Sequence, residues 1–152
     1  MSNFDETLSD LFAKFKEGAA TELVANEQEA SDQRDFLKEF ADIREDVILP
    51  RLRKVEQQPV AVSAEYLSVQ VSDADRGCPE LRFNGGAWRL EFRANPKTRR
   101  VEVGRRFLSG SRDTTNGLRL EQVTKETVEK EVTAFVEEAL AAIQANLRRR
   151  SQ

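Results

Sequence analysis

The chain has 152 residues, of which 39% are hydrophobic and 34% are charged, and its 24 basic and 27 acidic side chains leave a formal net charge of −3. This length fits one domain, with or without a helical appendage, and the composition excludes a collagen, a mucin or a membrane protein. The chain has no histidine and only one cysteine. Without histidine, the chain lacks the usual general base near neutral pH. A single cysteine excludes an intramolecular disulfide and a cysteine-rich zinc site.

The remaining chemistry-bearing residues do not form a catalytic pattern. No pair of carboxylates stands in an apolar sequence context that would separate their pKa values. Cys78 precedes Pro79 in a loop and has no histidine partner to activate it. We therefore predict that the protein is not an enzyme, with no catalytic residues, no cofactor and no metal site.

The N-terminal sequence predicts a cytoplasmic location. Met1 to Glu6 are acidic and amphipathic, whereas a secretory signal starts with positive charge followed by an apolar run. No stretch approaches the ~18–20 consecutive apolar residues that span a bilayer. We expect no membrane partner.

Charge is unevenly distributed along the chain. Residues 1–58 contain 14 acidic and 8 basic side chains, whereas residues 76–119 contain 4 acidic and 11 basic ones. The small net charge therefore conceals an acidic N-terminal arm beside a basic middle segment, and this asymmetry is the most informative global feature of the sequence.

Residues 1–58 are predicted to form an arm of two helices. The first helix carries an apolar stripe in which four residues are spaced by 4, 3 and 4 positions and Phe12 lies beside them. We expect Gly18 to end or loosen this helix, although the polar residues 22–35 contain few helix breakers and could continue it. The second helix is expected from about residue 26 to 57, with a kink or break near residues 47–49 because Pro50 lacks an N–H group. The stripe consists of Phe4, Leu8, Leu11, Phe12 and Phe15.

Residues 59–152 are predicted to form an α/β body. Alternation at Leu67, Val69 and Val71 indicates a half-buried strand, and Asn84-Gly85 is a strong hairpin signal. A two-residue loop there places Leu81 opposite Trp88. A turn at residues 95–98 places Phe92 opposite Val101 and Leu90 opposite Val103.

A long helix is predicted to follow the sheet. Residues 109–117 have the composition of a flexible loop, after which Leu118 and Leu120 could add a short edge strand. Thr124 is a candidate N-cap, and the helix after it carries a wide apolar stripe that includes Leu140. The predicted fold class is α+β: an N-terminal helical arm, then a four- or five-stranded antiparallel β-meander packed against a long C-terminal helix.

The basic middle segment has two interpretations. It is either a solvated surface of the meander or a docking surface for an acidic partner or for phosphate. Among the possible partners of a docking surface, nucleic acid is the less well supported. Single strands are usually bound by stacking on exposed aromatic side chains, but Trp88 and Phe92 fall on the core face, and Tyr66 is the only exposed candidate. The candidate binding residues are Arg82, Arg89, Arg93, Arg99, Arg100, Arg105 and Arg106.

The apolar stripe of the arm carries the main functional prediction. Its five side chains either pack on the body of the same chain or form the interface of a homodimer, and the arm is long for a body of this size to cover. We therefore predict a non-catalytic protein-interaction or adaptor module that is a homodimer through its N-terminal helices and binds another protein. The alternative is a nucleic-acid-binding module that uses the basic face of the meander.

No motif of a family with known activity is present. The helix–meander–helix body is similar to secretion-chaperone-like and adaptor-like domains, although the long helical arm that comes first departs from the usual chaperone arrangement. A likeness of architecture does not fix a function.

Overall fold

The computed structural model describes residues 3–58, 66–73, 78–107 and 117–150, together with the backbone of residues 112–114. The N-terminal part is helical: α1 spans Asn3–Ile43, a π-helical stretch spans Arg44–Ile48, and α2 spans Leu49–Glu56. The sheet and the last helix follow. Their bounds are β1 Val69–Ser72, β2 Glu80–Phe83, β3 Trp88–Asn95, β4 Arg100–Arg106, β5 Arg112–Thr114 and α3 Lys125–Arg150.

α1 is one continuous helix, so Gly18 does not end it. A glycine in a helix interior costs only about 1 kcal/mol relative to alanine, and the residues around Gly18 are good helix formers. The acidic side chains of Asp5 and Glu6 lie in the first turn of α1, where they interact favourably with the positive end of the helix dipole.

Where a kink or break was predicted near Pro50, the structure has a π-helical stretch and the helix continues. Proline lacks an N–H group and its ring displaces the carbonyl four residues earlier, which here belongs to Asp46. That carbonyl accepts a hydrogen bond from Nη1 of Arg51 at 3.4 Å. The wider π-helical turn therefore accommodates Pro50 without ending the helical path.

The five strands form one antiparallel sheet in the order β1-β2-β3-β4-β5. Both predicted hairpins are present, but their registers differ from the predicted ones by two residues. Phe83 pairs with Trp88, and Phe92 pairs with Val103. The loops are therefore residues 84–87 and 96–99, in which Asn84, Gly85, Gly86 and Arg99 adopt positive φ angles.

The last strand of the sheet lies earlier than predicted. Backbone pairing places β5 inside the segment that was predicted to be a loop. Leu118 forms a single bridge with Val101, and Leu120 begins a 3₁₀ turn. The edge of the sheet is thus built from two short pieces rather than from one strand at residues 118–120.

The hydrophobic core lies between one face of the sheet and the helices that cover it, which are the end of α1, α2 and α3.

α3 begins at the predicted N-cap and buries one side. Oγ1 of Thr124 accepts a hydrogen bond from the backbone N–H of Thr127 at 3.2 Å, which confirms the predicted N-cap. Leu140, which was assigned to the apolar stripe of α3, is instead exposed. The buried α3 side chains are Val128, Val132, Phe135, Ala139 and Ile143.

The chain divides into two compact units, Met1–Asp35 and Phe36–Gln152. This boundary lies within α1, whereas the sequence placed the end of the arm at residue 58. The difference arises because Phe36, Phe40, Ile48 and Leu52 belong to the same core as the sheet. Among the described residues, no helix combines the length and the apolarity needed to cross a membrane.

Candidate interaction surfaces

The N-terminal unit presents its predicted stripe as exposed apolar surface. Phe4, Phe12 and Phe15 are 69%, 70% and 72% exposed, and Leu8 and Leu11 are also exposed. With 3.6 residues per turn, all five side chains lie on one side of α1. Between residues 3 and 35, no side chain is buried.

Sequence reasoning missed two exposed apolar side chains on α1. Leu23 and Val24 are as exposed as the phenylalanines, but they lie in a segment that was interpreted as polar. Val24 falls on roughly the opposite side of the helix from Phe4, since twenty residues at 100° each leave a rotation of about 200°. It is therefore not part of the stripe.

The sheet register brings three of the seven candidate arginines into one row. Arg82 of β2 pairs with Arg89 of β3, which pairs with Arg106 of β4, and the backbone register continues to Arg112 of β5. Because neighbouring strands are about 4.8 Å apart, these positions are adjacent on the face of the sheet opposite the core. We call Arg82, Arg89 and Arg106 the arginine row.

The arginine row is only partly neutralised. Nε of Arg82 lies 2.7 Å from Oε2 of Glu80, and Nε of Arg89 donates a hydrogen bond to the carbonyl of Gly86 at 2.8 Å. Arg106 is exposed and has no carboxylate partner among the described residues. Like charges directly opposite each other are unfavourable in a sheet, so the row is a local concentration of positive charge.

The other four candidate arginines are placed elsewhere. Arg93 pairs across the sheet with Glu102, and Nη1 of Arg100 donates to the carbonyl of Gly117 at 3.0 Å. Arg99 lies in the turn between β3 and β4. Arg105 points to the helical side of the sheet, where its guanidinium contacts Glu131 and Glu138 of α3.

A cysteine and two glutamates form the tightest cluster of ligand-type groups among the described residues. The ligand atoms of Cys78, Glu80 and Glu91 lie within 4.8 Å of one another. Sγ of Cys78 lies 4.0 Å from Oε1 of Glu80. Glu91 is buried, although the alternation of side chains along β3 places it on the face of the sheet opposite the core.

Arginines already neutralise this cluster. Arg82 pairs with Glu80, and Nη2 of Arg93 lies 3.9 Å from Oε2 of Glu91. Burial is the main cause that raises the pKa of the Cys78 thiol, and the Glu91 carboxylate raises it further. The thiol therefore stays protonated, whereas a metal ligand or a nucleophile must be a thiolate. Each ion pair of this cluster lies within one strand, Glu80 with Arg82 on β2 and Glu91 with Arg93 on β3.

The described residues of the second unit form at least two grooves. A groove of about 440 Å³ between α2 and α3 is lined by Val55, Val132 and Val136 together with charged side chains. In this groove, Nε of Arg51 lies 3.7 Å from Oε1 of Glu129. A smaller one of about 240 Å³ is lined by Tyr66, Trp88 and residues near the end of α3.

The chain matches no protein-family model, no curated protein and no solved structure. The functional argument therefore depends on the surfaces described above.

Proposed function

We propose that this protein is an interaction module that acts by binding, without catalysis, and that it self-associates as a homodimer through its N-terminal helix. The observation that supports this proposal is the exposed stripe of Phe4, Leu8, Leu11, Phe12 and Phe15. Isolated helices are marginal in water, and most helical stability in proteins comes from packing of an apolar face. A helix with five exposed large apolar side chains on one side therefore needs a partner surface.

The size of the stripe fits a small interface. A fully buried aromatic side chain removes about 150–250 Å² from water, so the stripes of two copies would bury on the order of 1,000 Å² in total. This area is near the lower limit for specific protein–protein interfaces. We therefore propose a dimer that exchanges with its monomer.

Light scattering at increasing protein concentration tests this proposal. We expect the mass of a dimer for the unmodified chain at high micromolar concentration, and the mass of a monomer for a Phe4→Ser/Phe15→Ser double variant. Val24→Ser is the matched control, because it removes an equally exposed apolar side chain from the other side of α1. A monomeric mass for the unmodified chain at high concentration would contradict the proposal.

The arginine row supports a second candidate function, which is binding of nucleic-acid phosphate. Three aligned arginines repel one another, and an anion bound across them would relieve this repulsion. Guanidinium groups also bind phosphate oxygens in a bidentate manner. Among the described residues, no aromatic side chain accompanies the row on its face of the sheet, so this binding would involve the phosphate backbone rather than base stacking.

Binding of a labelled single-stranded oligonucleotide, followed by fluorescence anisotropy, tests the second candidate. Arg89→Ala/Arg106→Ala should abolish binding. An Arg53→Ala/Lys130→Ala variant removes the same charge from α2 and α3 and should bind as the unmodified chain does. An equal loss of oligonucleotide affinity in both variants would show that the arginine row contributes only nonspecific positive charge. Binding of an acidic peptide instead of the oligonucleotide would assign the row to a protein partner.

A further inference from the structure

Four of the five stripe residues on α1 have a spacing that is the same in both directions, and Phe12 lies beside them. Phe4, Leu8, Leu11 and Phe15 are separated by 4, 3 and 4 residues, so the pattern is a palindrome with its centre between Ser9 and Asp10. A helix with such a pattern presents the same apolar face to a copy of itself that runs the other way. This symmetry specifies an orientation for the dimer.

We propose that the N-terminal helices of two copies pair antiparallel, with Phe4 of each copy against Phe15 of the other and Leu8 against Leu11. This inference rests on the proposed self-association. The spacing of 4, 3 and 4 residues is that of alternating d and a positions in a heptad. In an antiparallel pair, each layer of the interface contains an a position of one helix and a d position of the other. Four layers result, which extend over about 16 Å at ~1.5 Å per residue.

The charges of the same segment favour this orientation. Asp5 and Glu6 lie near the start of α1, and Lys14 and Lys16 lie two to three turns later. An antiparallel pair places the acidic end of one helix beside the basic segment of the other, and it also opposes the two helix dipoles. A parallel pair in register would place like charges beside each other at both ends.

The residues that follow the stripe oppose a parallel arrangement. Continuing the same core spacing along α1 leads to Gly18, Glu22, Ala25 and Glu29. A parallel pair of these helices would bring Glu22 against Glu22 and Glu29 against Glu29. In the antiparallel register, Phe15 lies opposite Phe4, so neither Glu22 nor Glu29 faces the same residue of the other copy.

Disulfide trapping in the full-length chain tests the orientation. Phe4→Cys and Phe15→Cys chains are mixed and mildly oxidised, and the linked peptides are mapped by mass spectrometry, which distinguishes them from peptides of Cys78. We expect the 4–15 disulfide to dominate, and a Val24→Cys chain to give only background cross-linking. Dominant 4–4 and 15–15 disulfides, or a statistical mixture of all three, would overturn the antiparallel register.

A spin label at Glu17→Cys gives a second readout that leaves the stripe intact. In the antiparallel register, the two labels are about 22 Å apart along the helix axis at ~1.5 Å per residue. In a parallel pair they are separated only by the interhelical distance of ~8–10 Å and the label linkers. A short label distance in a chain with dimeric mass would contradict the orientation alone, whereas a monomeric mass would contradict the proposed function.

Discussion

Trp88 and Tyr66 show how burial separates two aromatic side chains that line the same groove. Trp88 is 6% exposed and belongs to the core, whereas Tyr66 is 61% exposed. We expect Trp88→Ala to lower the free energy of unfolding by about 3–5 kcal/mol, as aromatic truncations in cores do. Tyr66→Ala should lower it by less than about 0.5 kcal/mol. Denaturant unfolding measures both, and a loss below about 1 kcal/mol for Trp88→Ala would place its ring outside the core.

The Cys78 thiol makes stability depend on pH in the alkaline range. Its pKa in the folded chain is raised by burial and by Glu91, whereas the thiol of the unfolded chain titrates at about 8.5. The folded chain therefore holds the proton to higher pH than the unfolded chain. This contribution to stability is complete below about pH 8.5 and is lost as the pH rises towards the folded-state pKa.

Unfolding measured from neutral pH to about pH 10 tests this linkage. The free energy of unfolding of the unmodified chain should fall more steeply with pH than that of a Cys78→Ala variant. The slope is the readout, because the substitution also changes the stability at neutral pH by removing buried atoms. Parallel curves for the two proteins would show that the thiol titrates alike in the folded and unfolded chains.

At the level of single residues, the alternation of apolar side chains predicted burial well where a strand has one covered face. Phe83, Trp88 and Phe92 are buried as expected, because the period of a strand alone assigns them to one face. Glu91 lies on the other face and is nevertheless buried. Its burial arises from the buried Cys78-Pro79 segment and from the arginine partners of the cluster, which are contacts that local periodicity does not contain.

At the level of elements, Arg105 connects β4 to α3. Its guanidinium lies 3.0 Å from Glu131 and 3.2 Å from Glu138, and its side chain is mostly buried. Arg105→Ala should lower the free energy of unfolding by about 1–3 kcal/mol, because it leaves the half-buried Glu131 without its partner. Arg106→Ala removes the same charge from the exposed side of the same strand, and should change stability by less than about 0.5 kcal/mol.

A double-mutant cycle separates the ion pair from lost packing. If the contact with Glu131 matters, Glu131→Gln in the Arg105→Ala background should cost less than it does alone. Additive losses would assign the effect of Arg105→Ala to the packing of its aliphatic stem. If Arg105→Ala and Arg106→Ala lowered the free energy of unfolding equally, the assignment of Arg105 to a buried ion pair and of Arg106 to an exposed surface would be wrong.

The hairpins show which features of an element are local. Asn84-Gly85 and the turn near Pro96 correctly predicted both reversals, but each loop has a different extent, and the register shifts by two residues. Since side chains in a strand alternate with a period of two, a shift of two residues does not change the face on which a residue lies and changes only its cross-strand neighbour. Arg93 therefore pairs with Glu102 instead of Arg100, and the arginine row was not visible from the sequence.

In the helices, too, the local sequence predicts some features of an element and not others. The apolar spacing predicted which side chains of residues 4–15 share a face, and Pro50 predicted the irregularity before α2. Where the arm ends was not predictable from local pattern, because Phe36 and Phe40 have the same helical spacing as Phe4 and Leu8. The former are buried and the latter are exposed, and this difference depends on which residues lie near them in the folded chain.

For the whole molecule, the acidic and basic segments and the apolar stripe predict two binding modes that differ in their response to salt. Self-association through Phe4, Leu8, Leu11, Phe12 and Phe15 removes apolar surface from water, so raising the salt concentration should leave the dimeric mass nearly unchanged. Binding of a single-stranded oligonucleotide at the arginine row involves about three phosphates. Its affinity should fall about 20-fold for a fourfold rise in salt, because each contact releases a counterion.

Light scattering and fluorescence anisotropy on one salt series measure both modes in the same protein. An Arg89→Ala/Arg106→Ala variant should keep its dimeric mass, and Phe4→Ser/Phe15→Ser should keep the salt slope of oligonucleotide binding. Since the stripe and the row lie in different compact units, loss of one mode should leave the other in place. A dimer that dissociates as steeply with salt as the oligonucleotide does would show that charge, rather than the apolar stripe, drives self-association.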